Sequence, residues 1–145
     1  MKKIIIMLAI TLNSAVLFAG EENVNAKILN AFSREFSGAR DVKWTSGETF
    51  TKASFIFNDS YVDAYYETNG DLVVVTRNIS SVDLPMNLQT SLLNGYKGQW
   101  LTELVEVSDN TGTHYYASME DAGSKLILRS TVSGGWRTQN KSVKN

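Results

Sequence analysis

Few residues in this chain of 145 could do chemistry, and no two of them form a recognisable catalytic pair. His114 is the only histidine, and there is no cysteine. A catalytic triad needs a histidine beside an activated hydroxyl, and a metal site without cysteine needs clustered carboxylates. The spacing of the acidic residues indicates neither arrangement. We therefore expect no metal, no cofactor and no enzymatic activity, with His114 at the surface near a strand end.

Two loops and one set of acids resemble functional sites only superficially. Asp109-Asn110-Thr111-Gly112 and Asn69-Gly70-Asp71 lack the alternating acids and final glutamate of a calcium-binding EF-hand loop, so we interpret both as turns. Carboxylates on predicted strands could form a glycosidase-like pair, although sequence does not give their separation. These are Asp63, Glu67, Glu103 and Glu106. Solvated acids are the favoured interpretation, and a carboxylate hydrolase is the minor alternative.

The N-terminus has the pattern of a secretory signal peptide. Lys2 and Lys3 precede an apolar run over Ile4–Ile10, which continues with polar interruptions over Leu12–Phe18. A membrane anchor is the weaker interpretation, because a span needs about 20 largely apolar residues. We expect residues 1–19 to be removed by cleavage after Ala19, with no membrane span afterwards. The mature protein is then periplasmic or secreted.

The charge of the mature chain limits its partners. Residues 1–19 contain two of the 14 basic residues and none of the 15 acidic ones, so their removal leaves a net charge of −3. Nucleic acids are bound through many Lys and Arg contacts with phosphates, and anionic membranes attract polybasic segments. Neither partner is expected. An unidentified protein or peptide is the predicted partner, and the oligomeric state is left open.

The hydrophobic pattern predicts two helices and seven strands. Apolar residues recur every four positions between Val24 and Phe36, which indicates a helix. A second helix begins at Pro85, with Asp83 as its cap. Alternating patterns predict strands at 42–45, 50–58, 61–67, 72–79, 100–108, 113–120 and 125–132. Residues 134–145 have no periodicity and are expected to form an irregular tail, with Trp136 as its one anchor.

The order of elements suggests an internal repeat. Ala64 and Ala117, Glu67 and Glu120, and Gly70 and Gly123 each match at a spacing of 53 residues. We predict one α+β domain at residues 20–133, built from tandem halves at 23–79 and 84–132. Each half is a helix followed by an antiparallel meander, in the order α-β4-α-β3, with both helices on one face of the sheet.

A set of short motifs resembles the PepSY-like exported proteins of Bacteroidetes. This resemblance covers the chain after the signal peptide, and it implies a fold like that of the β-lactamase inhibitor proteins (BLIP-like). It also implies a role in protein binding or peptidase inhibition, and it transfers no catalytic residue. The motifs are Ala31-Phe32, Phe36-Ser37-Gly38-Ala39, Asp41-Val42-Lys43-Trp44, Ala64-Tyr65-Tyr66, Asn69-Gly70-Asp71-Leu72 and Asp83-Leu84-Pro85.

The alternation of side chains along the strands predicts which residues the helices leave uncovered. Leu101, Val105 and Val107 are the better core set of their strand, which places Trp100 and Leu104 outside. The predicted partner-binding set on the uncovered face is Tyr61, Tyr65, Trp100, Leu104, Tyr116, Ile127 and Arg129. Ile56 is predicted to lie on the same face.

The uncovered set is rich in the residue types of interface hot spots. It predicts a non-catalytic protein-binding module, such as an inhibitor or regulator of a periplasmic or extracellular enzyme. Stabilising cross-strand pairs, or burial of this face under the tail through Trp136, are simpler explanations for the same residues. The alternative function is a carrier of a small apolar ligand or peptide.

Overall fold

The computed structural model describes residues 18–144, so nearly all of the predicted signal peptide lies outside the described residues. The described chain forms one antiparallel sheet of nine strands with two α-helices, which confirms the predicted α+β class. The strands lie in the sheet in chain order. They are β1 (Phe18–Ala19), β2 (Arg40–Ser46), β3 (Thr51–Phe57), β4 (Ser60–Tyr66), β5 (Leu72–Asn78), β6 (Trp100–Asp109), β7 (Gly112–Glu120), β8 (Ser124–Ser130) and β9 (Trp136–Val143).

Helix α1 spans Ala26–Glu35 and follows a 3-10 turn at Glu21–Asn23. It begins after Asn25, whose side-chain oxygen accepts a hydrogen bond from the backbone N–H of Lys27 and so caps the first turn. The apolar stripe predicted from the sequence buries Ile28 and Phe32 against the sheet. The helix is shorter than the apolar pattern at both ends, because the pattern also includes the flanking turns.

Helix α2 spans Met86–Gly95, and its start differs from the prediction. Pro85 lies immediately before the helix instead of in its first turn. The carboxylate of Asp83 accepts hydrogen bonds from the backbone N–H and the hydroxyl of Ser80, both at 2.9 Å. Asp83 therefore caps the 3-10 turn Ser81–Asp83, and the prediction that it caps α2 is wrong.

Both helices pack on the same side of the sheet, which we call the helix face. Residues directly opposite each other on neighbouring strands share a face. Ala64, which packs in the core under α1, is opposite Val75, and Val75 is opposite Ser108. Alternation along β6 then places Leu104 on this face, where it packs in the core under α2 with Leu128. The other side of the sheet is called the open face.

Two hydrophobic cores lie on the helix face. Under α1, the rings of Phe32 and Phe55 meet edge to face with centroids 4.9 Å apart, and Trp44 contacts Phe32 at 5.1 Å. Under α2, the core consists of Leu84, Leu88, Leu92, Leu104, Ala117, Met119 and Leu128. Between the cores, Arg77 on β5 donates to both carboxylate oxygens of Glu106 on β6 at 3.2 and 3.3 Å. This ion pair bridges the two strands at which the halves of the sheet meet.

The C-terminal segment is a strand, which corrects the expectation of an irregular tail. Residues Trp136–Val143 form β9 and pair with β8. The indole N–H of Trp136 donates to the carbonyl oxygen of Leu88 on α2 at 3.0 Å, so Trp136 anchors this segment on the helix face. The second half therefore has four strands after its helix instead of the three predicted.

Several elements recur along the chain at a spacing of 60 residues. This holds for the 3-10 turns at Glu21–Asn23 and Ser81–Asp83, for α1 and α2, and for the starts of β2 and β6. The match at a spacing of 53 aligned β4 with β7. Ala117 lies opposite Leu104 on the first strand of its half, as Ala53 lies opposite Trp44. Ala117 thus corresponds in position to Ala53 on β3, and the predicted alignment of the strands is wrong.

Candidate functional site: the open face of the sheet

The open face carries most of the residues that the sequence placed there. Tyr65 lies opposite Val74, Tyr116 lies opposite Arg129, and Ile127 lies opposite Ser118. Tyr61 is 73% exposed opposite Ile56, and Trp100 is 57% exposed at the end of β6. These placements confirm the face predicted for Tyr61, Tyr65, Trp100, Tyr116, Ile127 and Arg129. Their role in binding stays a prediction.

Leu104 lies on the helix face, so its predicted position is wrong. The register of β6 and β7 shifts between Leu101 and Glu103, and this bulge uses one extra residue. Leu101 and Leu104 consequently face the same core, and Leu104 is only 4% exposed. The same shift turns Val105 and Val107, predicted as core residues, to the open face opposite Tyr116 and His114.

One row of side chains crosses five strands of the open face. Asn78 on β5 is opposite Val105, which is opposite Tyr116 on β7. Tyr116 is in turn opposite Arg129, which is opposite Arg137 on β9. With strands spaced about 4.8 Å apart, this row extends for about 19 Å. Val105 and Arg137 were not in the predicted set, because the bulge and β9 were not recognised.

The half of the open face formed by β3 to β5 centres on Tyr65. Burial raises the pKa of the Tyr65 hydroxyl above its ordinary value, and the nearby charge of Asp63 raises it further. Asp63 accepts a hydrogen bond from the hydroxyl of Ser54 at 2.5 Å and lies 4.0 Å from the ammonium group of Lys52. Tyr65 is therefore neutral at physiological pH.

The hairpin that carries His114 has hydrogen bonds typical of a turn. The Thr111 hydroxyl lies 2.6 Å from the carboxylate of Asp109, to which it donates, and 3.0 Å from Nε2 of His114. This hydroxyl bond is the main cause that lowers the pKa of Asp109. Because the single hydroxyl proton points to Asp109, His114 is not placed to remove it. Within residues 18–144, no three His, Asp or Glu side chains gather as a metal site.

A cavity on the helix face was not predicted from the sequence. It has a volume of about 640 Å³ and lies between α1 and strand β2. Its apolar lining comes from Leu29, Phe32, Phe36, Val42 and Trp44. The spacing of apolar residues predicted the helical stripe, but no pattern indicated the gap between the helix and β2. Among the helices in the described part of the chain, none has the length and apolar character needed to cross a membrane.

The fold is similar to solved structures from Bacteroides. A BLIP-like protein from Bacteroides fragilis matches with a TM-score of 0.71 and 15% identity, over 83% of this chain and 86% of that chain. A DUF2874 family protein from Bacteroides ovatus matches with a TM-score of 0.73 and 14% identity, over 83% of this chain and 87% of that one. A protein from Bacteroides eggerthii, whose name assigns it provisionally to the periplasm, matches with a TM-score of 0.72 and 10% identity. The match covers 83% of this chain and 88% of that chain.

These likenesses are of fold alone. They confirm the BLIP-like fold that the sequence resemblance implied, and they place its neighbours in Bacteroides. No protein-family model matches the chain, and no curated protein sequence matches it. The PepSY-like family name therefore stays a prediction.

Proposed function

We propose that this protein is an exported, non-catalytic binding module that docks a partner protein or peptide on the open face of its sheet. The observation that carries the proposal is the position of the aromatic side chains on a face without a helix. Both helices and the indole of Trp136 pack on the helix face, so none of these three covers the open face.

The composition of the open face supports a protein partner. Tyr, Trp and Arg are enriched at interface hot spots, and each type is present here in Tyr61, Trp100 and Arg129. Exposed apolar and aromatic patches on a soluble domain commonly mark interaction sites. An inhibitor or regulator of a periplasmic or extracellular enzyme is the specific role that we propose. The BLIP-like fold is compatible with protein binding.

Covalent capture followed by alanine substitution tests the docking face. A photo-crosslinking residue, p-benzoylphenylalanine, replaces Tyr61 on the open face, and in a second protein it replaces Leu93, which is 65% exposed on α2. We expect a specific crosslinked partner in envelope extract from position 61 and none from position 93. Capture of the identified partner is then repeated with the triple variant Tyr65→Ala, Trp100→Ala, Tyr116→Ala.

A matched triple variant controls for the loss of exposed apolar surface. Val82→Ala, Met86→Ala and Leu93→Ala remove three exposed apolar side chains from the 3-10 turn before α2 and from α2 itself. We expect this variant to capture the partner normally and the open-face variant to lose capture at least tenfold, which corresponds to about 1.4 kcal/mol. Equal capture by the two folded variants would refute the docking face.

Export is the part of the proposal that concerns the N-terminus. Lys2, Lys3 and the apolar run support a signal peptide, with cleavage after Ala19. Phe18 and Ala19 form β1 beside β2, at Thr45 and Trp44, so cleavage there would free the edge of β2. Mass spectrometry of the protein from the envelope fraction is expected to give a chain that begins at Gly20. An uncleaved chain would contradict the export proposal without affecting the docking face.

The proposal that the protein is not an enzyme rests on the environment of its possible catalytic groups. The only histidine contacts a threonine whose proton is directed to a carboxylate. Hydrolysis screens with glycan and peptide substrates are the direct test, and we expect no turnover above that of buffer. Activity abolished by His114→Ala, or by substitution of an open-face carboxylate, would overturn this part of the proposal.

We also infer that the chain consists of two tandem helix-plus-meander units. The spacing of 60 residues between corresponding elements supports this inference, as do the matching core positions Ile28 and Leu88, and Phe32 and Leu92. Each unit contributes four consecutive strands, so the open face joins two similar surfaces side by side. A partner that covers both would contact Tyr65 in the first unit and Tyr116 in the second.

The cavity between α1 and β2 supports a second candidate function, a carrier of a small apolar ligand. Ligand sites usually have volumes of about 300–1,000 Å³. This cavity of about 640 Å³ lies within that range, and Leu29, Phe32, Phe36, Val42 and Trp44 form the apolar part of its lining. Native mass spectrometry of freshly purified protein would show a stoichiometric small adduct if this role holds. Phe36→Trp, which fills the cavity, should remove the adduct and leave capture through the open face intact.

A further inference from the structure

We propose that Arg129 and Arg137 form a binding site for a carboxylate side chain, an aspartate or glutamate, of the partner protein. This inference rests on the proposed docking function and names the chemistry that one part of the open face recognises. The two arginines lie directly opposite each other on β8 and β9, at the end of the row that also contains Tyr116.

The first observation is the arrangement of the charges. Side chains directly opposite each other in an antiparallel sheet have Cβ atoms about 4.5–5.5 Å apart, and like charges at this distance repel. None of the ion pairs among the described residues includes Arg129 or Arg137. Glu103, in the neighbouring row opposite Ser118, forms no ion pair with either arginine. Within residues 18–144, the two positive charges therefore have no compensating acid.

One donor atom of the arginine pair, Nε of Arg129, lacks a partner among the described residues. Nε of Arg129 is shielded from solvent and has no hydrogen-bond partner in the described structure. The guanidinium group is held near Tyr116, with Cζ 5.8 Å from the centre of the ring. A buried donor without a partner costs free energy, so binding of a carboxylate that displaces the groups shielding Nε and bonds to it would be favoured. The tyrosine ring also limits the orientations of the guanidinium group before a partner arrives.

The geometry of the site favours a carboxylate. A guanidinium group presents parallel N–H donors that match the two oxygens of a carboxylate, and a second guanidinium beside it strengthens the attraction. Phosphate has similar acceptor geometry, but nucleic acids need extended basic surfaces. The whole chain has a net charge of −1, and Asp63, Glu103 and Asp109 lie on the same open face. A single acidic side chain of a protein partner fits this local pair of charges better.

Titration with short peptides tests the site without knowledge of the partner. The probe is acetyl-Gly-Glu-Tyr-Gly-amide, compared with the same peptide containing Gln in place of Glu, and with inorganic phosphate. The observable is the Nε–Hε resonance of Arg129 in a ¹H–¹⁵N NMR spectrum. We expect a saturable shift with the Glu peptide, weakened by added salt, and no comparable shift with the Gln peptide.

Variants then assign the interaction to the arginine pair. Arg137→Gln keeps the fold because Arg137 is exposed. We expect Arg137→Gln and Arg129→Gln each to weaken binding of the Glu peptide about tenfold. Arg34→Gln on α1 removes the same charge from the other side of the sheet and should leave binding unchanged. Equal binding of the Glu and Gln peptides, equal loss in Arg34→Gln, or a shift with phosphate alone would overturn the proposal.

The two proposals fail separately. If capture of the crosslinked partner is lost in the open-face alanine variant but unchanged in Arg129→Gln and Arg137→Gln, the docking face stands and the carboxylate site is refuted. If the Glu peptide binds as expected while the open-face alanine variant still captures its partner, the carboxylate site stands and the proposed docking face is refuted.

Discussion

Trp100 and Leu104 are both large, apolar and on β6, but they lie on opposite faces of the sheet. Simple alternation would place them together, because their positions differ by an even number. The bulge between Leu101 and Glu103 separates them, so that Leu104 is buried under α2 and Trp100 is exposed. The consequences of substitution should differ accordingly.

We predict that Leu104→Ala destabilises the protein by about 2–4 kcal/mol, because it removes a buried side chain from the core under α2. Trp100→Ala should change the free energy of unfolding by only about 0.5 kcal/mol, because more than half of the indole is in solvent. Urea denaturation followed by circular dichroism measures both. Similar losses from the two substitutions would mean that β6 lacks the bulge.

At the scale of single residues, alternation predicted the faces well wherever the strands are regular. Tyr61 and Tyr65 on β4, and Tyr116 on β7, all lie on the expected side. Alternation predicts the wrong face for Leu104, Val105 and Val107, because a bulge adds one residue and inverts the pattern that follows. No residue type in Leu101-Thr102-Glu103 signals that insertion. The arginine pair was missed for another reason, since it requires β9.

At the scale of the elements, the hairpin Asn69-Gly70 contacts α1 directly. Gly70 has a φ of +96°, and a Cβ atom added there would lie 3.0 Å from Cβ of Lys27 and 3.2 Å from its carbonyl carbon. The Asn25 side chain, which caps α1, also donates to the carbonyl oxygen of Thr68 in this turn. The turn thus joins β4 and β5 and positions the start of the helix.

We predict that Gly70→Ala costs about 2–3 kcal/mol of stability, from the positive φ together with the close contact to Lys27. Gly98→Ala is the matched control, because Gly98 has a φ of +88° and nothing within 4 Å of the added Cβ. That control should cost only about 1–2 kcal/mol. Equal losses in urea denaturation would show that the contact with α1 contributes nothing.

The turn between β7 and β8 depends on Asp121. The side-chain amide of Gln99 donates to its carboxylate, and so do the backbone N–H groups of Gly123 and Ser124. These hydrogen bonds, that of Gln99 first, hold the pKa of Asp121 well below its usual range. A carboxyl group whose pKa is lowered by folding stabilises the protein above its unfolded pKa and loses that effect as the pH falls.

We therefore predict that Asp121→Asn lowers the urea midpoint at pH 7, and that this loss shrinks below about pH 3.9, the ordinary pKa of an aspartate. Urea titrations at pH 7, 4 and 2.5 test this dependence. Glu22→Gln, in an exposed 3-10 turn, serves as the control for removal of one negative charge. A loss in Asp121→Asn that stays constant across the three pH values would contradict the assigned hydrogen bonds.

The two helices and seven of the nine strands, β2 to β8, overlap elements that the sequence predicted, and β1 and β9 are additions. β9 escaped detection because its residues Arg137 to Lys141 are all polar. An edge strand has one neighbour and is largely exposed, so it needs no apolar alternation. β1 consists of Phe18 and Ala19, which lie in the predicted signal peptide, so the sequence indicates no strand there. Without β9, the second half was predicted to have three strands instead of four. That shortfall also supported the incorrect alignment at a spacing of 53 residues.

At the scale of the whole molecule, two cores share one continuous sheet. Five residues of β5 pair with β6 at the junction, and the bidentate ion pair of Arg77 and Glu106 bridges the same two strands. On the helix face the cores remain separate clusters, one under each helix. Because the sheet is unbroken, we expect loss of either core to unfold both halves together.

Trp136 provides the last test, because it is the residue through which β9 reaches α2. We predict that Trp136→Ala lowers the free energy of unfolding by about 2–4 kcal/mol, from lost packing and the lost hydrogen bond to Leu88, and that Trp136→Phe loses about 1 kcal/mol. Gln139→Ala, exposed on the same strand, should stay within about 0.5 kcal/mol. In Trp136→Ala, hydrogen exchange should then speed up equally in α1 and α2, because the sheet couples them. Faster exchange in α2 alone, or two unfolding transitions, would show instead that the halves unfold independently.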